Sequence, residues 1–270
     1  MKTYTIAITT AKEAIRQPIF LVLLVAGCLL MLLFPFVPYF TFGEDLKMLK
    51  DEGLATMLLL GMLLALLTAS NTIAEDIEHR TAITLLSKPI NRRQFIVGKF
   101  LGIVLAVAVL FLILSLLFCL MVYYKVGYDA RESSKQPPTN HERWEEVELI
   151  LPGVALTFFQ VVVLTALSVA ISTRLPMLVN VVVCLAVYFL GHLTPVLVQA
   201  SKDRFELVEF TARMFDLILP ALQFFNVSSA VATGSTIPPS YVAANLLLCV
   251  LYSAIGILLA LVLFEDRDLA

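Results

Sequence analysis

The sequence predicts an all-α integral membrane protein with six transmembrane helices, and three observations carry that expectation. Of its 270 residues, 60% are hydrophobic and only 15% charged, whereas a soluble domain is about 45–50% apolar even with glycine counted. The mean hydropathy is +0.92. Crossing a bilayer takes about 20 apolar residues, and runs of that kind recur at 18–42, 54–74, 95–124, 149–172, 177–199 and 241–264. These runs occupy more than half the chain and leave no room for a soluble catalytic domain. The whole of 1–270 is therefore expected to be a single transmembrane domain.

Taken in order, residues 1–17 place Tyr4, Ile8, Ala11 and Ile15 at helical spacing, with Lys2, Thr9, Lys12, Glu13 and Arg16 elsewhere around the wheel. Such a pattern suits a helix lying in the membrane interface or a helical extension of the first span. The first apolar run is too long for a signal-peptide core and is expected to stay in the mature protein. It ends through Pro35 and Pro38, and 43–53 reads as a short polar connection outside the membrane.

The polar stretch 125–148 carries Pro137, Pro138 and the lone tryptophan, Trp144, placed where an interface anchor is expected. Pro152 falls near the start of the fourth span, where proline costs a helix little. Thr173, Arg174, Leu175 and Pro176 alone separate spans four and five, a connection short enough to force an antiparallel helical hairpin.

The region 200–240 is expected to be extracytoplasmic and amphipathic. Within it, Phe205, Val208, Ala212, Phe215 and Leu219 step by three and four, opposite Asp203, Glu206, Glu209, Arg213 and Asp216. Pro220 should end this helix, and Pro238 and Pro239 precede the last span.

Between spans two and three lies a charged segment, 75–94, that ends in Lys88, Arg92 and Arg93, with Lys99 close behind. Basic density of this kind stays on the cytoplasmic side. With both termini inside, the inner segments hold ten of the nineteen basic residues. The raw count hardly separates the two orientations; the shortness of the inner segments and the position of this cluster at a membrane end favour cytoplasmic termini.

The order of acidic residues, Arg80 and Thr81, Leu85 and Leu86, Ser87-Lys88-Pro89-Ile90, Arg92 and Arg93, Phe95, and Gly98-Lys99 resembles the cytoplasmic loop after the second helix of ABC-2 type permeases. Within that family it is most similar to the branch containing the nitrous oxide reductase maturation and gliding-motility permeases. The resemblance extends over the whole length and implies an N-terminal elbow helix, six spans and an extracytoplasmic helix before the last. It also implies a separate ABC ATPase subunit that binds ATP and magnesium, and a permease homodimer or related heterodimer in the plasma membrane with both termini cytoplasmic. Glu75, Glu78, Arg80, Thr81, Ile83, Leu85, Leu86, Lys88 and Pro89 are then the candidates for contact with the ATPase.

The residues point to no chemistry carried by the chain itself. Val97-Gly98-Lys99-Phe100 lacks the earlier glycine and the Ser/Thr of a phosphate loop, so no enzyme activity and no cofactor are expected here. Glu75, Asp76, Glu78 and His79 spread around a helix rather than converge, and read as a solvated acidic cap rather than a metal site. Nothing supports copper transport directly: the eight methionines are scattered and His192 is the only histidine within a span. Cys28, Cys119, Cys184 and Cys249 sit in four different spans and read as small apolar residues.

Two other classes compete. One is a membrane scaffold or assembly factor. The other is an intramembrane protease, suggested by Glu75-Asp76 with Arg80 but lacking the histidine pairs such enzymes need. The net charge of −2 decides nothing about a partner, and beyond the lipid bilayer no nucleic acid is expected. Gly98 and Gly102, continued by Ala106, would let another backbone approach the start of span three. Gln160, Asn180 and Asn245 either bond neighbouring helices or face a translocation path.

Overall fold

The computed structural model of the chain describes residues 2–36, 45–78, 91–132, 138–201 and 219–265, together with positions 210 and 214. Its elements are α1 (Lys2–Arg16), α2 (Pro18–Leu33, continued by the 3-10 turn Phe34–Phe36), α3 (Asp45–Glu78), α4 (Arg92–Glu132), α5 (Asn140–Ser172), α6 (Met177–Ser201), a 3-10 turn (Leu222–Phe225), α7 (Ser228–Ala232) and α8 (Pro239–Glu265). Six of these helices, α2 to α6 and α8, are long and apolar enough to cross a membrane. Among the described residues there is no strand.

The core lies where α3, α4 and α5 meet. Met57, Leu64, Ala65 and Leu66 pack with Ile103, Val107, Leu110 and Leu114, and with Leu156, Val161 and Leu164. The Phe111 and Phe158 rings meet edge to face at 5.4 Å between α4 and α5. By contrast α2, α6 and α8 turn long rows of leucine and valine outward, including Leu21, Val25 and Leu29 on α2 and Leu247, Val250 and Leu258 on α8. In lipid such rows carry no penalty, because the bilayer is as apolar as they are.

Cross-contacts show that the spans alternate in direction. One end of the bundle gathers the start of α4, the α5–α6 hairpin and the end of α8. There the Phe95 and Phe264 rings stack at 6.0 Å, Arg92 lies 5.9 Å over the Phe264 ring, and Arg174 Nε donates to the Leu263 carbonyl at 2.7 Å. At the other end Lys50 on α3 pairs with Glu146 on α5 at 2.5 Å, and Lys125 on α4 lies 3.6 Å from Asp45 and 3.0 Å from Asp129.

Several expectations are corrected. The polar connection 43–53 is, from Asp45 onward, the first turns of α3. Its charges hide a continuing helical period: Leu49 and Lys50 are almost wholly buried, at 1% and 2% exposure. Likewise 125–148 is mostly helix, since α4 runs to Glu132 and α5 begins at Asn140.

At 1.5 Å per residue the 41 residues of α4 reach about 61 Å, twice the hydrocarbon thickness. The ends of α3, α4 and α5 therefore continue past the bilayer as a three-helix extension. Thr139 starts α5 with a reciprocal capping box: its hydroxyl accepts from the Glu142 amide while the Glu142 carboxylate accepts from the Thr139 amide. Pro152 consequently falls inside α5 rather than near its start.

The first helix packs through its small residues. Ala7, Thr10, Ala11 and Ala14 are buried, whereas Tyr4 is exposed and Ile8 and Ile15 are partly so. Gln17, with ψ of 140°, separates α1 from α2, and Pro18 opens the new helix. The first span was expected to reach residue 42; helix and 3-10 turn end at Phe36, and 37–42 lie outside the described residues.

Of the amphipathic stretch 202–219, only Phe210 and Met214, both helical and exposed, and Leu219, in a bend, are described. The rest of that expectation lies outside the described residues.

Candidate functional site

Three places in the bundle bear on what it can do. The first is the basic end. The α3 helix runs through Glu75 to Glu78, but the side chains of Glu75 and Glu78 and all of Arg80, Thr81, Ile83, Leu85, Leu86, Lys88 and Pro89 lie outside the described residues. What is described is their frame. Arg92 and Arg93 open α4 at the surface, and Arg92 sits over Phe264 of α8.

Two turns later Gly98 and Gly102 receive α1. A β-carbon on Gly98 would stand 2.7 Å from the Ile6 side chain and 3.3 Å from the Thr3 carbonyl. One on Gly102 would stand 2.7 Å from the Ala7 carbonyl and 2.6 Å from Thr10 Cβ. The small-residue stripe of α4 thus seats the small-residue face of α1 within one chain. The start of α4, the end of α8 and the N-terminal helix form one packed unit where the segment 75–94 enters α4.

The second is a polar knot inside the bundle, close to that end. Asn180 on α6 is completely buried, and its amide nitrogen lies 2.7 Å from Ser70 Oγ on α3 and 2.8 and 3.0 Å from Ser168 Oγ and Ser172 Oγ on α5. Ser70 and Ser172 pass their own protons to the carbonyls of Leu66 and Ser168, so their oxygens are left to accept. Cys184 Sγ, 3.4 Å away, donates to Asn180 Oδ1. Three helices are tied at one side chain.

The sequence singled out Asn180 but not its serine partners. Their signal was present: a four-residue hairpin fixes an antiparallel register in which Ser172 and Ser168 must pass close to Asn180.

The third is a cavity of about 110 Å³ at the opposite end, walled by α3, α5, α6 and the residues that lead into α7. Gln160, only 2% exposed, lines it and is held by His192 on α6 at 3.2 Å. The His192 Nδ1 lies 2.9 Å from the Tyr188 carbonyl. A carbonyl only accepts, so Nδ1 carries the proton, and Nε2 accepts from the Gln160 amide nitrogen.

Two of the three intramembrane amides named from the sequence are thus engaged between helices. Asn245 donates to the Tyr241 carbonyl of its own helix, and its Oδ1 is buried with no partner among the described residues.

Among curated proteins none matches the chain. The family model described as ABC-2 family transporter protein matches residues 4–269. A helical bundle of six membrane-length spans and a family match over nearly all of the 270 residues lead to one conclusion: the chain belongs to the ABC-2 family of transporter proteins.

Proposed function

We propose that the chain is the permease subunit of an ATP-driven exporter, paired with a separate ATPase that binds ATP and magnesium and coupled to it through 75–94. The observation that carries this reading is the family match over 4–269. Its support in the residues is the absence of a phosphate loop from the sequence together with the frame just described, in which Arg92, at one end of 75–94, lies over Phe264 of α8 and the following turns of α4 seat α1.

In this reading the chain performs no hydrolysis. The ATPase closes on ATP, the segment 75–94 takes up that movement, and α3 carries it into the bundle. The basic end, with Arg92, Arg93, Lys99 and Arg174, faces the cytoplasm of a plasma-membrane protein, as the positive-inside rule favours, and both termini lie there. Two permease chains and two ATPase chains make the working assembly. The resemblance of 75–102 to the nitrous oxide reductase maturation and gliding-motility permeases supports a kinship with that branch.

Purification from the native membrane, with its ABC ATPases present, tests the assignment. The ATPase co-purifies with the chain and hydrolyses ATP in the complex, while the isolated chain is silent. Sustained hydrolysis by the isolated chain, or no association with any ATPase, contradicts it.

A further inference from the structure

The cavity between α3, α5, α6 and the approach to α7 has a definite hydrogen-bonding character once each proton is assigned. Gln160 gives its amide nitrogen to His192, so it has its carbonyl oxygen to offer. Thr157 donates to the Gly153 carbonyl at 2.8 Å, and Ser228 Oγ donates to Asn226 Oδ1 at 2.9 Å. Both hydroxyls are left only with acceptor lone pairs.

At the mouth stands Asp51, exposed and in no ion pair among the described residues. Against these four acceptors the side chains of the described walls offer as donors the Asn226 amide, the second N–H of the Gln160 amide and the Tyr188 hydroxyl, and no Lys, Arg or His. The neighbouring Lys50 is turned away into its bond with Glu146.

The size narrows the ligand further. About 10–15 Å³ of such space holds one water, so about 110 Å³ takes a small organic group. Drug-sized ligands fill roughly 300–1,000 Å³. Leu54, Leu58 and Val227 supply apolar wall, and the Tyr188 ring is a surface on which a cation can rest.

The geometry points to a binding site for the ammonium head of a small amine, with Asp51 at the entrance and Gln160, Thr157 and Ser228 as acceptors within. That chemistry belongs equally to a free alkylamine and to an amine-bearing lipid headgroup. Its location, at the end away from the ATPase-coupling segment, makes it a site reached from the far side of the bundle.

Binding of radiolabelled butylammonium to the full chain in phosphatidylglycerol nanodiscs, corrected for empty nanodiscs, tests the site. Saturable binding is expected, with butanol failing to compete. Asp51→Asn weakens it about three- to tenfold, in line with loss of one partly solvated charge-assisted bond. Thr157→Val weakens it further without unfolding, whereas Glu148→Gln, which removes an exposed carboxylate at the same end, leaves it unchanged.

Competition by added phosphatidylethanolamine assigns the site to a lipid headgroup, and its absence to a soluble amine. Wild-type binding in Asp51→Asn, an equal loss in Glu148→Gln, or equal competition by butanol overturns the proposal. The measurement uses no ATPase, so its failure leaves the permease reading standing, and failure of ATPase association leaves this site standing.

Discussion

At the scale of single residues, the bundle depends on a few polar side chains whose partners are fixed. Lys50 is almost completely buried, and its charge is balanced by Glu146, which is itself one-third exposed. Removing one partner of a buried pair costs about 3–5 kcal/mol; water at Glu146 lowers that, so Glu146→Gln is expected to destabilise by roughly 1–3 kcal/mol. Replacing the pair together, Lys50→Met with Glu146→Leu, should restore most of the loss. Thermal unfolding of the wild type and these two variants in the same detergent checks both statements.

Asn180→Leu removes an amide shared among three serine oxygens. Hydrogen bonds between membrane helices average about 0.6 kcal/mol and reach about 1.7, so a loss of roughly 1–2 kcal/mol is expected, read as a lower unfolding temperature. Asn180 was legible in the sequence as an intramembrane amide. Lys50 was not, because a lysine among Asp45, Lys47, Asp51 and Glu52 reads as solvent-exposed until the pairing of α3 with α5 is known.

Among the elements, the membrane-crossing helices were legible because twenty apolar residues leave few alternatives. The helical extensions were not. Composition reports where a helix leaves the membrane, not where it stops, and Lys125 with Asp129 or Lys50 with Glu146 stabilise turns that look like loop by polarity.

The case of α1 is subtler. Its apolar face was read as Tyr4, Ile8, Ala11 and Ile15; the face that packs shares Ala11 with it but turns to the small residues that meet Gly98 and Gly102, namely Ala7, Thr10, Ala11 and Ala14. Close approach, not side-chain bulk, decides the orientation. Gly102→Val puts branched carbon against the Ala7 carbonyl and Thr10, at about 1–3 kcal/mol for overpacking. It is expected to lift α1 from α4, and trypsin should then cleave at Lys12 in the variant under conditions that leave the wild type intact.

For the whole molecule, the alternation of spans places the start of α4, the 173–176 hairpin and the end of α8 on one side, with Asp45, Lys125 and Glu146 on the other. Orientation in the membrane is a separate matter, because ten and nine basic residues on the two sides nearly balance. Cysteines introduced at Ser134 and Ser87 answer it in intact cells: a membrane-impermeant thiol reagent is expected to label the first and spare the second. The reverse pattern would turn the account inside out.

The central claim is that 75–94 is the lever between an ATPase and this bundle. In the sequence its apolar residues Ile83, Leu85 and Leu86 stand among polar neighbours, in a stretch that Pro89 is expected to end. Apolar surface left in water costs about 25 cal/mol per Å², which favours burial in a partner's groove. Replacing Ile83 and Leu86 together with aspartate puts charge into such a contact, where an unpaired desolvated carboxylate is strongly unfavourable. The direct measurement is ATPase binding and hydrolysis in membranes holding equal amounts of wild-type and double-variant chain. The account predicts normal insertion of the variant with ATPase binding, or coupling of hydrolysis to the permease, lost. A variant that inserts normally and still binds and couples its ATPase at the wild-type level contradicts it.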